Sequence, residues 1–297
     1  MEDIITFNTI KQYCDFNNNK ALHPLVGIID LSKAEPRQFT RFRYNFYVIF
    51  FKEIKCGDLR YGCNYYDYEE GTLVFLAPGQ VIGENKPEYY QPKGFAMVFH
   101  PDFILGTSLG QRMQEYTFFN YEVNEALHLS IPERDMIKDV YAKVNHELEQ
   151  LIDKHTKSLV ISNIELFLNY CVRFYDRQFI TRTNANQDII ARFEKLLNDY
   201  FHSDKAEKLG LPSVAYCAEQ LFISPNYLGD MIKKETGKSP QEHIQLKLIS
   251  IAKERIFDPS KSISEIAYEL GFKYPQHFSK MFKKVTGTTP NDYRLMN

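Results

Sequence analysis

The feature that most restricts the fold is an internal repeat. The segment Met231-Ile-Lys-Lys-Glu-Thr-Gly-Lys-Ser-Pro240 returns fifty residues later as Met281-Phe-Lys-Lys-Val-Thr-Gly-Thr-Thr-Pro290. Met, both Lys, Thr, Gly and Pro coincide. Upstream, Pro225 matches Pro275 in the same register, and Ala218 and Leu221 match Ala267 and Leu270 after a one-residue shift. Two copies of one structural unit are implied.

Each copy reads as helix, tight turn, helix. An apolar helix ends near Leu221 or Leu270, and a second begins at Pro225 or Pro275, where a missing N–H costs little in a first turn. Ser262 with Glu265 forms a capping box before the second unit, and Gly237 and Gly287 supply stops after Lys-rich last turns. Short helices joined by three or four residues have helix-turn-helix geometry.

Helical spacing divides the faces of the two later helices, 225–236 and 275–286. In the second, Phe278, Met281, Phe282 and Val285 are expected to pack, leaving Gln276, Ser279, Lys280 and Lys283 outward. In the first, Tyr227, Leu228, Met231 and Ile232 pack, and Asn226, Gly229, Asp230 and Lys233 face out. Such a division suits a recognition helix, whose amide and basic side chains reach base edges and phosphates. Between the units, residues 240–257 form a helix with Ile244, Leu248, Ala252 and Ile256 on one side, ended by Phe257-Asp258-Pro259. At 1.5 Å per residue this strut is roughly 27 Å long, near the roughly 34 Å between successive major grooves on one DNA face.

Charge supports this placement only locally. The chain of 297 residues has a net charge of −2. Residues 188–297 carry 16 Lys and Arg against 14 Asp and Glu, while within 273–294 Lys273, Lys280, Lys283, Lys284 and Arg294 face only Asp292. That is a basic patch of the kind phosphate contacts need, with Lys233, Lys283 and Lys284 read as phosphate contacts or solvated charges.

These residues resemble the DNA-binding domain of AraC/XylS-type bacterial regulators over the C-terminal 110 residues. The resemblance runs through Ser224-Pro-Asn-Tyr-Leu228, Lys233-Lys-Glu-Thr-Gly237, Ala267, Leu270-Gly-Phe272, Phe278-Ser-Lys-Met-Phe-Lys283 and Thr289-Pro-Asn-Asp-Tyr-Arg294. It implies a promoter-binding activator or repressor, RNA polymerase as a partner, and an N-terminal cupin-like domain for small-molecule effector binding or homodimerisation. It places Asn226, Gln276, His277 and Lys280 at contact positions. Gly229-Asp230 departs from the long polar or basic residues common there. Asp230 can accept from a cytosine amino group but repels phosphates, so base contact and a solvated role both stay open.

The fold expected is therefore a two-domain α+β chain. An N-terminal cupin-like β-barrel with a helical pair spans 1–180, a linker 181–187, and an all-α domain with two helix-turn-helix units joined by a linker helix 188–297. In the first part Val26–Leu31, Tyr44–Ile54, Leu73–Leu76 and Phe95–Phe99 read as strands. Ile137, Val140, Tyr141, Val144, Leu148, Leu151 and Ile152 then make one helical stripe, and Leu159, Ile164, Phe167, Tyr170, Cys171 and Phe174 a second. These helices either cover the barrel or form a dimer interface. The polar run Thr181–Gln187 lacks apolar periodicity and reads as the linker.

Gly71-Thr-Leu-Val-Phe-Leu-Ala-Pro-Gly79 resembles a cupin turn motif. The alternative reading is a cupin-type metal-dependent enzyme fused to a DNA-binding domain, which would normally show a His-x-His pair with a Glu and a further His. None of the eight His is so paired. His23 and His100 read as structural, and no catalytic residue, metal or cofactor is expected. Phe42, Tyr44, Phe46, Tyr47, Tyr65, Tyr66 and Tyr68 either line a ligand pocket or fill the core. Five cysteines, Cys14, Cys56, Cys63, Cys171 and Cys217, fit scattered reduced thiols better than a disulfide framework, although Cys56 and Cys63 could lie close in space. The acidic start and the absence of a long apolar run argue against a signal peptide or membrane span, so a cytoplasmic location is expected.

Overall fold

The structure is a computed structural model and describes residues 4–52, 71–83, 86–122, 125–181 and 183–296. Its chain divides into two compact units, Met1–Thr181 and Arg182–Asn297. Cys56, Cys63, Tyr65, Tyr66 and Tyr68 lie outside the described residues.

The described residues of the first unit contain ten strands: β1 (Ile4–Phe7), β2 (Val26–Asp30), β3 (Arg37–Phe39), β4 (Arg41–Tyr44), β5 (Tyr47–Lys52), β6 (Thr72–Leu76), β7 (Val81–Ile82), β8 (Lys86–Tyr90), β9 (Phe95–Phe99) and β10 (Leu127–His128). Its helices are α1 (Ile10–Phe16), α2 (Pro101–Ile104), α3 (Ser108–Arg112), α4 (Ile131–Glu149) and α5 (Thr156–Thr181). Three open sheets result among the described residues: a five-stranded antiparallel sheet ordered β10-β6-β5-β9-β2, a three-stranded sheet β1-β4-β7, and the pair β3-β8. The barrel expected at the sequence level is thus seen only as a β-rich unit, because these sheets do not close on one another through strand pairing.

The central strand β5 explains how the unit is layered. Alternation sends Val48 and Phe50 to one face, where they join Phe7, Tyr13, Phe42, Tyr44, Phe46, Val74 and Val98 in a buried cluster. Ile49 and Phe51 face the other way and are equally buried. There the Tyr141 hydroxyl of α4 donates to the Ile49 carbonyl at 2.9 Å, and its ring meets Phe51 and, from α5, Phe167. A strand covered on both faces reads as a continuous apolar run, as Tyr47–Phe51 does. Phe42, Tyr44 and Phe46 therefore serve as core, and α4 and α5 cover the sheet.

The expected strand Tyr44–Ile54 is split, since the chain turns at Asn45-Phe46 between β4 and β5. Leu151 and Ile152, expected on the α4 stripe, stand exposed beyond its end because α4 stops at Glu149. The three cysteines described, Cys14, Cys171 and Cys217, are buried. Burial pushes the Cys14 and Cys217 thiols up to about 11 and that of Cys171 well above the usual range, which leaves them protonated near neutral pH.

Among the described residues the second unit is all helical: α6 (Thr183–His202), α7 (Lys205–Leu209), α8 (Val214–Leu221), α9 (Pro225–Thr236), α10 (Pro240–Ile256), α11 (Ile263–Glu269), α12 (Pro275–Thr286) and α13 (Pro290–Met296). The polar residues 183–187, read from sequence as linker, are the first turns of α6. Asn186 is buried there, its amide donating to Glu235 at 2.8 Å, an inward polar contact that hydrophobic periodicity cannot register.

Candidate nucleic-acid interface

Two helix pairs, α8 with α9 and α11 with α12, carry the repeat. Each pair turns through one residue of positive φ, Phe222 at 59° and Gly271 at 93°. Ser224 then caps α9, its hydroxyl accepting from the Tyr227 N–H at 3.1 Å, and Pro225 occupies the first turn. Both later helices end alike. Gly237 and Gly287 adopt φ of 74° and 85°, and their N–H groups donate to Lys233 and Lys283 carbonyls at 2.9 Å. The repeated threonines also match in their bonding. Thr236 and Thr286 each donate 2.8 Å back to the carbonyl four residues earlier, Ile232 and Phe282.

Packing orients the two faces. In α9, Tyr227, Leu228, Met231 and Ile232 are buried, leaving Asn226 and Lys233 exposed and Gly229 and Asp230 half-buried. In α12, Phe278 and Phe282 are fully buried and Met281 is half-buried, while Gln276, His277, Lys280, Lys283 and Lys284 are exposed and Ser279 is half-buried. Val285, expected to pack, is 38% exposed because the apolar stripe leaves the core in the last turn.

The strut α10 has 17 residues, about 26 Å at the helical rise. It buries Ile244, Leu248 and Ala252 as expected, and Ile249 and Ile251 as well, because it touches α6, α9, α11 and α12. Its start is fixed by a reciprocal capping box between Ser239 and Glu242, and α11 by another between Ser262 and Glu265. The backbone N–H groups of those serines hold both carboxyls below the usual carboxylate range.

Two features of the interface are not those the sequence implies. Arg294, counted in the basic patch, turns inward: Nε donates to the Ile256 carbonyl at 2.6 Å and Nη2 to that of Lys261 at 2.9 Å. The patch is therefore one of lysines. Sequence reasoning also passed over Tyr274, which stands exposed at the start of α12 with its ring edge-on to His277 at 5.5 Å. The signal was present: serine precedes Pro225 and Pro240, whereas tyrosine precedes Pro275, and α12 accordingly has no side-chain cap.

In the first unit His23 and His100 serve the backbone, each ring Nδ1 accepting from the N–H two residues on, Leu25 and Asp102. Among the described residues no three His, Cys, Asp or Glu side chains gather where they could hold a metal, and no helix is long and apolar enough to cross a membrane.

Residues 217–296 match the family model described as a helix-turn-helix domain. The HTH-type transcriptional regulator YobQ of Bacillus subtilis is 33% identical over 250 residues, covering 82% of this chain and 94% of that protein. The chain belongs to the AraC/XylS family of transcriptional regulators. The transcriptional regulatory protein YesN of Bacillus subtilis is 37% identical to this AraC-type chain over 94 residues, which span 26% of its own length. Among solved structures, the AraC-type regulator from Chromobacterium violaceum aligns over 38% of this chain and 94% of its own at 21% identity and a TM-score of 0.33.

Proposed function

We propose that the chain is a sequence-specific regulator of transcription that binds double-stranded promoter DNA through α9 and α12. The carrying observation is that both helices bury one apolar stripe and present the opposite face outward, α12 with Gln276, His277 and Lys280 flanked by Lys283 and Lys284. Amides, imidazole and ammonium match base-edge acceptors, and lysines match phosphates. On α9, Asn226 and Lys233 take those roles. Two successive major-groove segments are read by one chain.

RNA polymerase is the partner through which binding is turned into regulation, in the cytoplasm. The first unit acts as a cupin-like module that receives a small molecule or joins two copies of the chain. Membership of the family supports the former, and exposed apolar residues on α5 support the latter. Leu159, Leu166 and Ile180 are 46%, 39% and 63% exposed. They fall within roughly 60° of one another around the helix.

Binding measured on a selected duplex over a range of salt tests the interface. If Lys280 reads a base, Lys280→Ala lowers affinity by about 1–3 kcal/mol and relaxes preference at one position; if it contacts phosphate only, affinity falls uniformly and the salt slope drops by about 1. Unchanged binding removes that face of α12 from the interface.

A further inference from the structure

The first unit holds an arginine whose surroundings are those of a binding site more than of an ion pair. Arg37 of β3 lies opposite Tyr90 of β8. Its guanidinium carbon stands 4.7 Å from the Phe16 ring centroid, 5.5 Å from Phe42 and 5.9 Å from Tyr90. Nη2 donates to Asn17 Oδ1 at 3.1 Å, and Nε to the Tyr90 hydroxyl at 3.4 Å. Asn17 is fully buried and its amide donates to the Tyr13 carbonyl at 2.8 Å, so the oxygen facing Arg37 is held in place. Among the described residues no carboxylate lies within ion-pair distance of this guanidinium.

An arginine has five N–H donors and is charged at every accessible pH. Here neutral acceptors take the Nε and one Nη2 hydrogen, which leaves both Nη1 hydrogens and the other Nη2 hydrogen. That edge is the one a carboxylate or phosphate engages with two parallel bonds. The walls suit an apolar body attached to such a head group. Phe39, two residues along β3, stacks on Tyr90 at 4.5 Å and is 39% exposed, and Phe16, whose ring lies against the guanidinium, is 37% exposed. A cation positioned by three rings and a buried amide, with its pairing edge unused and partly exposed aromatic rings nearby, is arranged in advance for an anion carrying an aromatic or apolar group.

We propose that Arg37 is the anchor of a site for a small organic anion, a carboxylate or phosphate borne on a flat apolar body that packs against Phe16 and Phe39. The inference rests on the reading that the first unit receives an effector, and it names that effector's chemical class.

Binding of phenylacetate, phenyl phosphate and the neutral phenylacetamide to the full chain without DNA, by titration calorimetry, tests it. Saturable binding of one of the two anions is expected, with the amide at least about tenfold weaker, the loss that follows when a charge-assisted bonded pair is replaced by a neutral one. Which anion binds distinguishes a carboxylate from a phosphate head group. Arg37→Gln should weaken the bound anion by a similar factor, with the unfolding transition showing that the variant is folded. The wild-type comparison of anion with amide decides the matter even if that variant does not fold. No saturable binding of either anion, equal binding of the amide, or unchanged binding by a folded Arg37→Gln chain would overturn the site. Anion binding at Arg37 that leaves DNA affinity unmoved would uphold the site and remove the reading that it regulates.

Discussion

Phe222 and Gly271 stand at equivalent turns of the two repeats, and both have a left-handed backbone. A Cβ on Gly271 would lie 2.7 Å from the Ala206 carbonyl oxygen and 2.8 Å from the Gly210 carbonyl carbon, so only glycine fits. Phe222 is 78% exposed and contributes little packing to offset its strained φ of 59°. Phe222→Gly is expected to raise stability by about 0.5–1 kcal/mol, and Gly271→Ala to lower it by more than about 1 kcal/mol, in urea unfolding. Arg294→Met is expected to cost about 2–3 kcal/mol by the same measurement, since it orphans the Ile256 and Lys261 carbonyls, while leaving the salt slope of DNA binding unchanged. Charge counting could not have found this, because Arg294 reaches a carbonyl 38 residues earlier in the chain. The outward placement of Asn226, Gln276 and Lys280 was legible, because a period of 3.6 separates exposed from buried positions whatever lies beyond the helix, whereas the equally exposed His277 was picked out only by the family resemblance.

At the scale of elements, four helices of the second unit begin with a capping serine: Ser213, Ser224, Ser239 and Ser262. The boxes of α10 and α11 add Glu242 and Glu265, whose carboxyls ionise more readily folded than unfolded. For a depressed carboxyl the stabilisation is complete above its unfolded value, about 4.3 for glutamate, and is lost as pH falls through the lower folded value. Unfolding followed from about pH 5 to about pH 3 should therefore show stability falling with acid, and Glu265→Gln should flatten that dependence. The Ser262–Glu265 box was readable because it is local. The strands β1, β3, β7, β8 and β10 were not: four of them hold only two to four residues, too few alternations to stand out, β8 opens with Lys-Pro-Glu, and β1 pairs in parallel with β4 across more than thirty intervening residues.

At the scale of the molecule, the repeat made the helical unit legible almost in full, because each copy confirms the register of the other. The first unit was legible as β-rich with a helical pair, but strand order and open or closed sheets depend on non-local pairing that alternation along one strand does not encode. The two helix-turn-helix units emerge as structurally parallel and chemically unequal. α9 is capped by serine and carries Gly229-Asp230 ahead of Lys233 and Lys234, and α12 is uncapped and carries Lys280, Lys283 and Lys284 with the Tyr274–His277 edge at its start. Reading of two groove segments by one chain is the central claim. Methylation protection of a selected duplex by the full chain tests it most directly: two clusters of protected guanines about one helical turn, roughly 10–10.5 base pairs, apart are predicted. A single protected cluster on a selected site would contradict it.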